Sequence, residues 1–166
     1  MAYWSDSGVR ATSFAGGSGT SSSPYLISTP AQLGYLCYLI NSSTSSSYKS
    51  KYYKLTADLN MNANYWIPIG YASTSYAFTG NFDGDGHTIS YMTINGTYSG
   101  CGLFGYAGSS ATIKNLKMTK LVITNSKSST ATYVGCILGY SSNTTISNVY
   151  LDNPCIFDYN TSTHYV

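Results

Sequence analysis

The sequence predicts an all-β chain: a parallel β-helix, or β-solenoid, of about three coils with a short N-terminal capping helix. Three observations carry this. An apolar-Gly-Tyr motif recurs as "IGYAS" from Ile69, "FGYAG" from Phe104 and "LGYSS" from Leu138, so Tyr71, Tyr106 and Tyr140 stand 35 and 34 residues apart. A second motif recurs as "TISYMTI" from Thr88, "TIKNLKM" from Thr112 and "TISNVYL" from Thr145. Between these motifs lie short β-rich runs such as "KLVIT" and "YVGCILGY", split by Ser, Gly and Asn, with no recurring helical pattern. A fixed period of a few tens of residues marks a solenoid or a propeller, and three units are too few for a usual propeller.

The first 50 residues read as a cap. In "STPAQLGYLCYLINS", Thr29 is placed to cap a helix and Pro30 suits its first turn. Leu33, Leu36, Cys37 and Ile40 fall on one face, while Gly34 costs about 1 kcal/mol relative to Ala. A solenoid needs such a cap, because exposed strand edges otherwise pair with other chains. Residues 51–166 then supply the coils. The first expected strand is "YYKLTADLNM", with Leu55, Ala57, Leu59 and Met61 alternating.

Equivalent residues of successive coils should stack in ladders. The expected rows are Ile89, Ile113 and Ile146; Met92, Leu116 and Val149; and Ile94, Met118 and Leu151. The apolar step is three and then two, which calls for a bend between them. Asn115 and Asn148 occupy that bend, and Asn tolerates the left-handed conformation of a corner. Tyr91 takes the place in the first coil, after an insertion read as "STSYAFTGNFDGD".

Composition excludes several function classes. Only 8% of the 166 residues are charged, and the formal net charge is +2. All six acids are Asp, and the basic residues are scattered, so the clustered basic face of a nucleic-acid binder is missing. No apolar run reaches membrane-spanning length. Cys37, Cys101, Cys136 and Cys155 form no C-x-x-C pair and have no nearby His for a zinc site. Buried free thiols are favoured over a disulfide framework.

The series "FAGGSGTSSSPYLISTPAQL", "YYKLTADLNM", "WIPIGY", "FTGNFDGDGHTISYMTI" and "GLFGY" resembles bacterial surface proteins that carry GLUG-type repeats. The likeness covers roughly residues 14–151. It implies a right-handed parallel β-helix, an extracellular or cell-surface location, and adhesion or scaffolding as the role. Its implied partners are surface glycans or a host receptor, and it implies no catalytic residues and no cofactor.

Three places compete as sites. In "FDGDGH", Asp83 and Asp85 alternate as Ca²⁺ ligands do, with Asp58 able to join only through the fold. The favoured reading is a Gly-rich turn whose Asp side chains bond backbone amides. Asp83 and Asp85 are also the only close carboxylate pair for a polysaccharide-cleaving β-helix enzyme. Such chemistry lacks cations near the pair, Arg10 lying in the cap, and neither His87 nor His164 neighbours a nucleophile motif. Tyr71, Tyr106 and Tyr140 form a candidate ladder for stacking on sugars, as a carbohydrate-binding module would, although mutual stacking within the wall explains them too. The sequons at Asn41, Asn95, Asn143 and Asn160 carry little weight beside a bacterial resemblance.

The last feature is the C-terminal end. Tyr165-Val166 matches Tyr133-Val134, so the chain stops where the next strand would run on. The expected open end, at Tyr165 and Val166, suits head-to-tail docking on other copies of the chain, and docking that does not close builds a filament.

Overall fold

The computed structural model describes residues 1–42, 46–108, 110–127, 132–159 and 164–165. Val166 and the sequon at Asn160 lie outside the described residues. In chain order the elements are β1 (Tyr25–Ile27), α1 (Pro30–Asn41), β2 (Tyr52–Leu55), β3 (Leu59–Asn60), β4 (Asn81–Asp83), β5 (Thr88–Ser90), β6 (Thr93–Gly96) and β7 (Gly100–Cys101). Then follow β8 (Phe104–Gly108), β9 (Thr112–Thr119), β10 (Val122–Asn125), β11 (Thr132–Val134), β12 (Leu138–Ser142), β13 (Thr145–Asp152), β14 (Cys155–Asp158) and β15 (His164–Tyr165). The chain is thus strand-rich with one α-helix among the described residues.

Every pairing between these strands is parallel. The strands gather into four sheets: β1-β2-β4-β9-β5-β3 with β13 on β9, then β14-β10-β6, β15-β11-β7 and β12-β8. Parallel neighbours require a long crossover between them; between β1 and β2 it contains α1, and between β9 and β13 it contains β10, β11 and β12.

The register defines the inward rows. Tyr53, Phe82, Ile113 and Ile146 make one, and Leu59, Ile89, Met118 and Leu151 a second. A third joins Ile94, Ile123 and Ile156, and a fourth Ile69, Phe104 and Leu138. The first members of each row are sealed from solvent and belong to one apolar cluster. Trp66 is buried with them and donates its Nε1–H to Leu103 O at 3.1 Å.

These rows correct one part of the expected register. Ile113 and Ile146 pair, as do Leu116 with Val149 and Met118 with Leu151. In the first unit, however, Ile89 lies beside Met118 and Ile94 beside Ile123, while Phe82 lies beside Ile113. The equivalent of "TIK" is "NFD", not "TIS". The cause is the turn between β4 and β5, which interrupts a path that β9 runs without a break. The inserted segment is therefore shorter than "STSYAFTGNFDGD". Ile69 pairs with Phe104 and Phe78 with Ala107, which leaves residues 72–77 as the extra loop, with its 3₁₀ turn at Thr74–Tyr76.

Left-handed corners recur where the strands bend. Asn115 and Asn148 have φ of 53° and 51°. Asn148 Nδ2 donates to Asn115 Oδ1 at 3.1 Å, and Asn115 Nδ2 donates to Asp83 Oδ1 at 3.0 Å. A side-chain amide thus meets two needs at one position: it tolerates positive φ and ties one unit to the next. Tyr91 also has positive φ, but at a different corner. There it is in line with Lys120 and Asn153, whose φ values are 54° and 57°. Lys120 Nζ reaches Tyr91 Oη at 2.7 Å across that corner.

The repeated Gly-Tyr motif has a steric reason. A Cβ on Gly139 would stand 2.8 Å from backbone atoms of both Cys101 and Tyr133, and one on Gly105 would meet Tyr71 Cα at 2.7 Å. Backbone passes over backbone at these points, so no larger residue fits.

The helix α1 starts at a side-chain cap. Thr29 Oγ1 accepts from Gln32 N at 3.2 Å, and Gln32 Oε1 accepts in turn from Ser28 N at 2.8 Å, a variant of the capping box. Leu33, Leu36, Cys37 and Ile40 are buried on the core side of α1. Gly34 is explained by a close approach: a Cβ there would stand 2.0 Å from Trp4 O. The sheet starts earlier than residue 51, because β1 pairs in register with β2, Tyr25 to Tyr53 and Ile27 to Leu55. The outer edge of β1 is occupied. Leu26 N donates to Gly16 O and Leu26 O accepts from Ala15 N, both at 2.9 Å.

Replacing Asn115 with Ala removes both amide bonds and leaves a Cβ-bearing residue without a local partner at positive φ. The expected loss is about 2 kcal/mol of unfolding free energy in urea titration. Asn115→Gly keeps the backbone conformation and should lose about half of that.

Candidate functional site

The expected tyrosine ladder is divided by the structure. Tyr106 and Tyr140 are register partners on β8 and β12, with ring centroids 5.4 Å apart. Tyr133 completes a triangle, 5.0 Å from Tyr140 and 6.2 Å from Tyr106. Tyr106 is buried, and desolvation followed by the neighbouring Tyr133 and Tyr140 phenols raises its pKa. Tyr71 is not part of this group. The loop at residues 72–77 turns the chain away after Gly70, and Tyr71 packs edge-on against Tyr98 at 5.4 Å. The three rings around Tyr106 face one another, an arrangement that stabilises a wall.

The "FDGDGH" segment is a turn closed by its own side chains. Asp83 Oδ1 accepts from Asp85 N at 2.9 Å as well as from Asn115. Asp85 and Gly86 take positive φ, 50° and 82°. Asp58 Oδ1 accepts from Thr88 N at 2.8 Å and lies 3.2 Å from His87 Nδ1. Asp85 pairs with Lys54 at 3.0 Å, and Asp83 with Lys114 at 3.3 Å. The hydrogen bond from Thr88, with help from His87, holds the Asp58 carboxyl below its ordinary pKa. Partial burial pushes Asp83 up, but Asp85 N–H, Asn115 and the Lys114 ammonium outweigh it and the net shift is downward. These three aspartates are thus occupied in turn closure and ion pairing. Among the described residues no group of three metal-ligating side chains converges.

The rows Tyr52, Asn81, Thr112 and Lys54, Asp83, Lys114 run side by side on the outer face of the large sheet. They line a shallow groove of about 380 Å³. This groove escapes the sequence-level alignment, because pairing "TIS" with "TIK" hides the equivalence of Lys54, Asp83 and Lys114. Aligning "YYK", "NFD" and "TIK" on their central residues, Tyr53, Phe82 and Ile113, reveals it.

β13 has β9 on one side and no strand on the other among the described residues. Its inward residues are exposed where their partners are sealed: Ile146 is 46% accessible and Leu151 39%, against 0% for Ile113 and 1% for Met118. Phe157 on β14 and Tyr159 are exposed as well. The backbone of β15 pairs with β11, Tyr165 beside Tyr133, as the repeat step requires. Ala15 and Gly16 occupy the outer edge of β1.

Cys37 and Cys101 are buried free thiols, and burial pushes each up to about 12. Cys136 is half-buried and Cys155 exposed.

Comparison with known proteins gives two similarities. The chain is 32% identical over 158 residues to halomucin of Haloquadratum walsbyi, covering 89% of this chain and 2% of that protein. It is 32% identical over 118 residues to a putative Gly-rich membrane protein of Evansella cellulosilytica, covering 67% of this chain and 13% of that protein. The chain thus spans a small part of the length of the relatives it matches. No family model matches it, and no solved structure matches. No described helix is long and apolar enough to cross a membrane.

Two measurements check this description. Asp58 and Asp83 titrate lower in the folded chain than in the unfolded one, so the unfolded chain takes up protons first as the pH falls. Their stabilisation is complete above about pH 5 and is lost as the pH drops through their folded pKa values. The melting temperature should fall as the pH drops below about 5, and Asp83→Asn should flatten that fall. Native thiol labelling should modify Cys155 first, with Cys37 and Cys101 reacting only on unfolding.

Proposed function

We propose that the chain is a non-catalytic structural or adhesive module of a surface- or membrane-associated protein, built as a right-handed parallel β-solenoid of the GLUG-repeat kind. In-register parallel stacking of successive units carries this reading: four inward rows advance together from unit to unit. Crossovers between parallel strands are right-handed in nearly all proteins, which gives the coil its hand. The extracellular or surface location draws support from the names of the two relatives, a halomucin and a membrane protein. The non-catalytic role draws support from the aspartates, whose carboxylates are engaged in turns and ion pairs. No cofactor is invoked.

The groove beside Tyr52, Lys54 and Lys114 favours a second reading, carbohydrate binding. Tyr52 is 37% accessible there, beside hydroxyl, amide and charged groups that suit a sugar. A panel of pectins, alginates and host glycans separates the readings. The expected result is no cleavage of any member. Turnover abolished by Asp83→Asn would establish the enzyme reading instead, and retention of a glycan that is lost with Tyr52→Ala would establish the binding module.

A further inference from the structure

We propose that the groove floored by β2, β4 and β9 binds a neutral, extended 1,4-linked glycan laid across the strands, with one sugar on Tyr52 and the next two over Asn81 and Thr112. The inference rests on the carbohydrate-binding reading of this groove and names the class of glycan that it takes.

The first ground is spacing. Tyr52, Asn81 and Thr112 are register partners on three adjacent strands, and Lys54, Asp83 and Lys114 form the row beside them. Neighbouring strands stand about 4.8 Å apart, close to the advance of one sugar along an extended 1,4-linked pyranose chain. Each sugar of such a chain therefore meets one side chain of each row. The hydroxyl, amide, carboxylate and ammonium groups of these rows supply both donors and acceptors, as sugar hydroxyls need.

The second ground is the wall at one end. Ser21 and Pro24 line the groove, and the pairing of Tyr25 with Tyr53 sets Pro24 next to Tyr52. Backbone bonds fix their loop. Tyr52 N donates to Gly19 O at 3.1 Å, and Ser18 N and Gly19 N both donate to Ser23 O at 2.9 Å. Pro24 and the 37% accessible Tyr52 give this end an apolar face, on which a pyranose ring stacks through its C–H side. A preformed wall and platform spare the complex the cost of ordering them.

The third ground sets the charge. Lys54 pairs with Asp85 at 3.0 Å and Lys114 with Asp83 at 3.3 Å, so each ammonium of the groove already faces a carboxylate. Asp83 also stands between the two lysines in its row. A uronate or sulfate laid along that row would meet Asp83 as a like charge and would have to draw a lysine from its partner. A neutral sugar hydrogen-bonds to the pairs as they stand.

The test titrates the ¹⁵N-labelled chain with cellohexaose and mannohexaose, two neutral β-1,4-linked probes, and with hexamannuronate, the acidic counterpart of the second. Each is taken to about 5 mM, a range suited to a weak, shallow site. Saturable shifts at the amides of Tyr52, Asn81 and Thr112 are expected with at least one neutral hexaose, and none with hexamannuronate. Affinity should climb from the monosaccharide to the trisaccharide and level off by the hexaose, since three strands floor the groove. Tyr52→Ala should weaken binding about tenfold, while Tyr52→Phe should keep it. Tyr52 lies on the outer face, so both variants should keep the fold. Lys54→Gln combined with Lys114→Gln should change affinity for the neutral probe less than about threefold, because the ligand brings no charge to lose. Hexamannuronate bound as tightly as the neutral probes, or neutral binding lost with the two lysines, would overturn the neutral class while leaving the groove a glycan site. Shifts with none of the three probes, or shifts unchanged by Tyr52→Ala, would overturn the groove reading itself and the inference with it.

Discussion

Register between segments about thirty residues apart is the constraint on which everything else here depends. Parallel strands offer no tight hairpin to set their alignment, so side chains must set it. Two kinds of residue do so. Inward apolar rows resist a one-residue slip, because a slip would turn Ile113 or Phe82 to the solvent face. Corner residues fix the phase more sharply. Asn115 and Asn148 must coincide, since each spans the gap to its neighbour through a single amide. The left-handed backbone at the same positions makes the bend and the tie one device.

How much of this was legible in the sequence varies along the chain. The second and third units could be read because both motifs survive in them, at steps of 34 and 33 residues, and the register of β9 with β13 follows the letters of "TIKNLKM" and "TISNVYL". The first unit could not, because its turn at Asp85 and Gly86 interrupts the strand and shifts "TIS" from Thr112 to Lys117. Local similarity of letters was a weaker guide there than the spacing of buried side chains. β1 was hidden for another reason. Three residues between Pro24 and Pro30 carry no periodicity, and only their pairing with β2 marks them as a strand. Tyr71 shares its motif with Tyr106 and Tyr140, yet the loop at residues 72–77 removes it from their cluster. The helix, by contrast, was legible in full, since Thr29, Pro30 and the apolar face are local signals. The candidate site was the least legible part. The turn chemistry of Asp83 followed from its glycines, but the groove is a product of register.

The low charge of the chain fits this construction. Stacked units place like residues above one another, so a charged residue repeated at one position would repel itself at strand spacing. The row of Lys54, Asp83 and Lys114 avoids that by alternating sign. Elsewhere the chain uses Asn, Ser, Thr and Tyr, which hydrogen-bond along a stack without repulsion. Asn125 shows the same economy inside the core. It is fully buried, accepts from Tyr98 N and donates to Tyr98 O, and so closes the backbone of a neighbouring unit.

The first and last described units are built differently. At the N-terminal side, α1 buries its apolar face and the antiparallel contact of Gly16 with Leu26 occupies the outer edge of β1. At the C-terminal side the same inward rows arrive at Ile146, Leu151 and Phe157 and remain accessible. The N-terminal side is thus closed by residues outside the repeat, whereas β13 is built of the repeat itself. What one unit recognises in the one before it is set by three features: the apolar rows fix where side chains fall, the parallel pairing fixes the direction, and the amide from Asn148 to Asn115 fixes the corner.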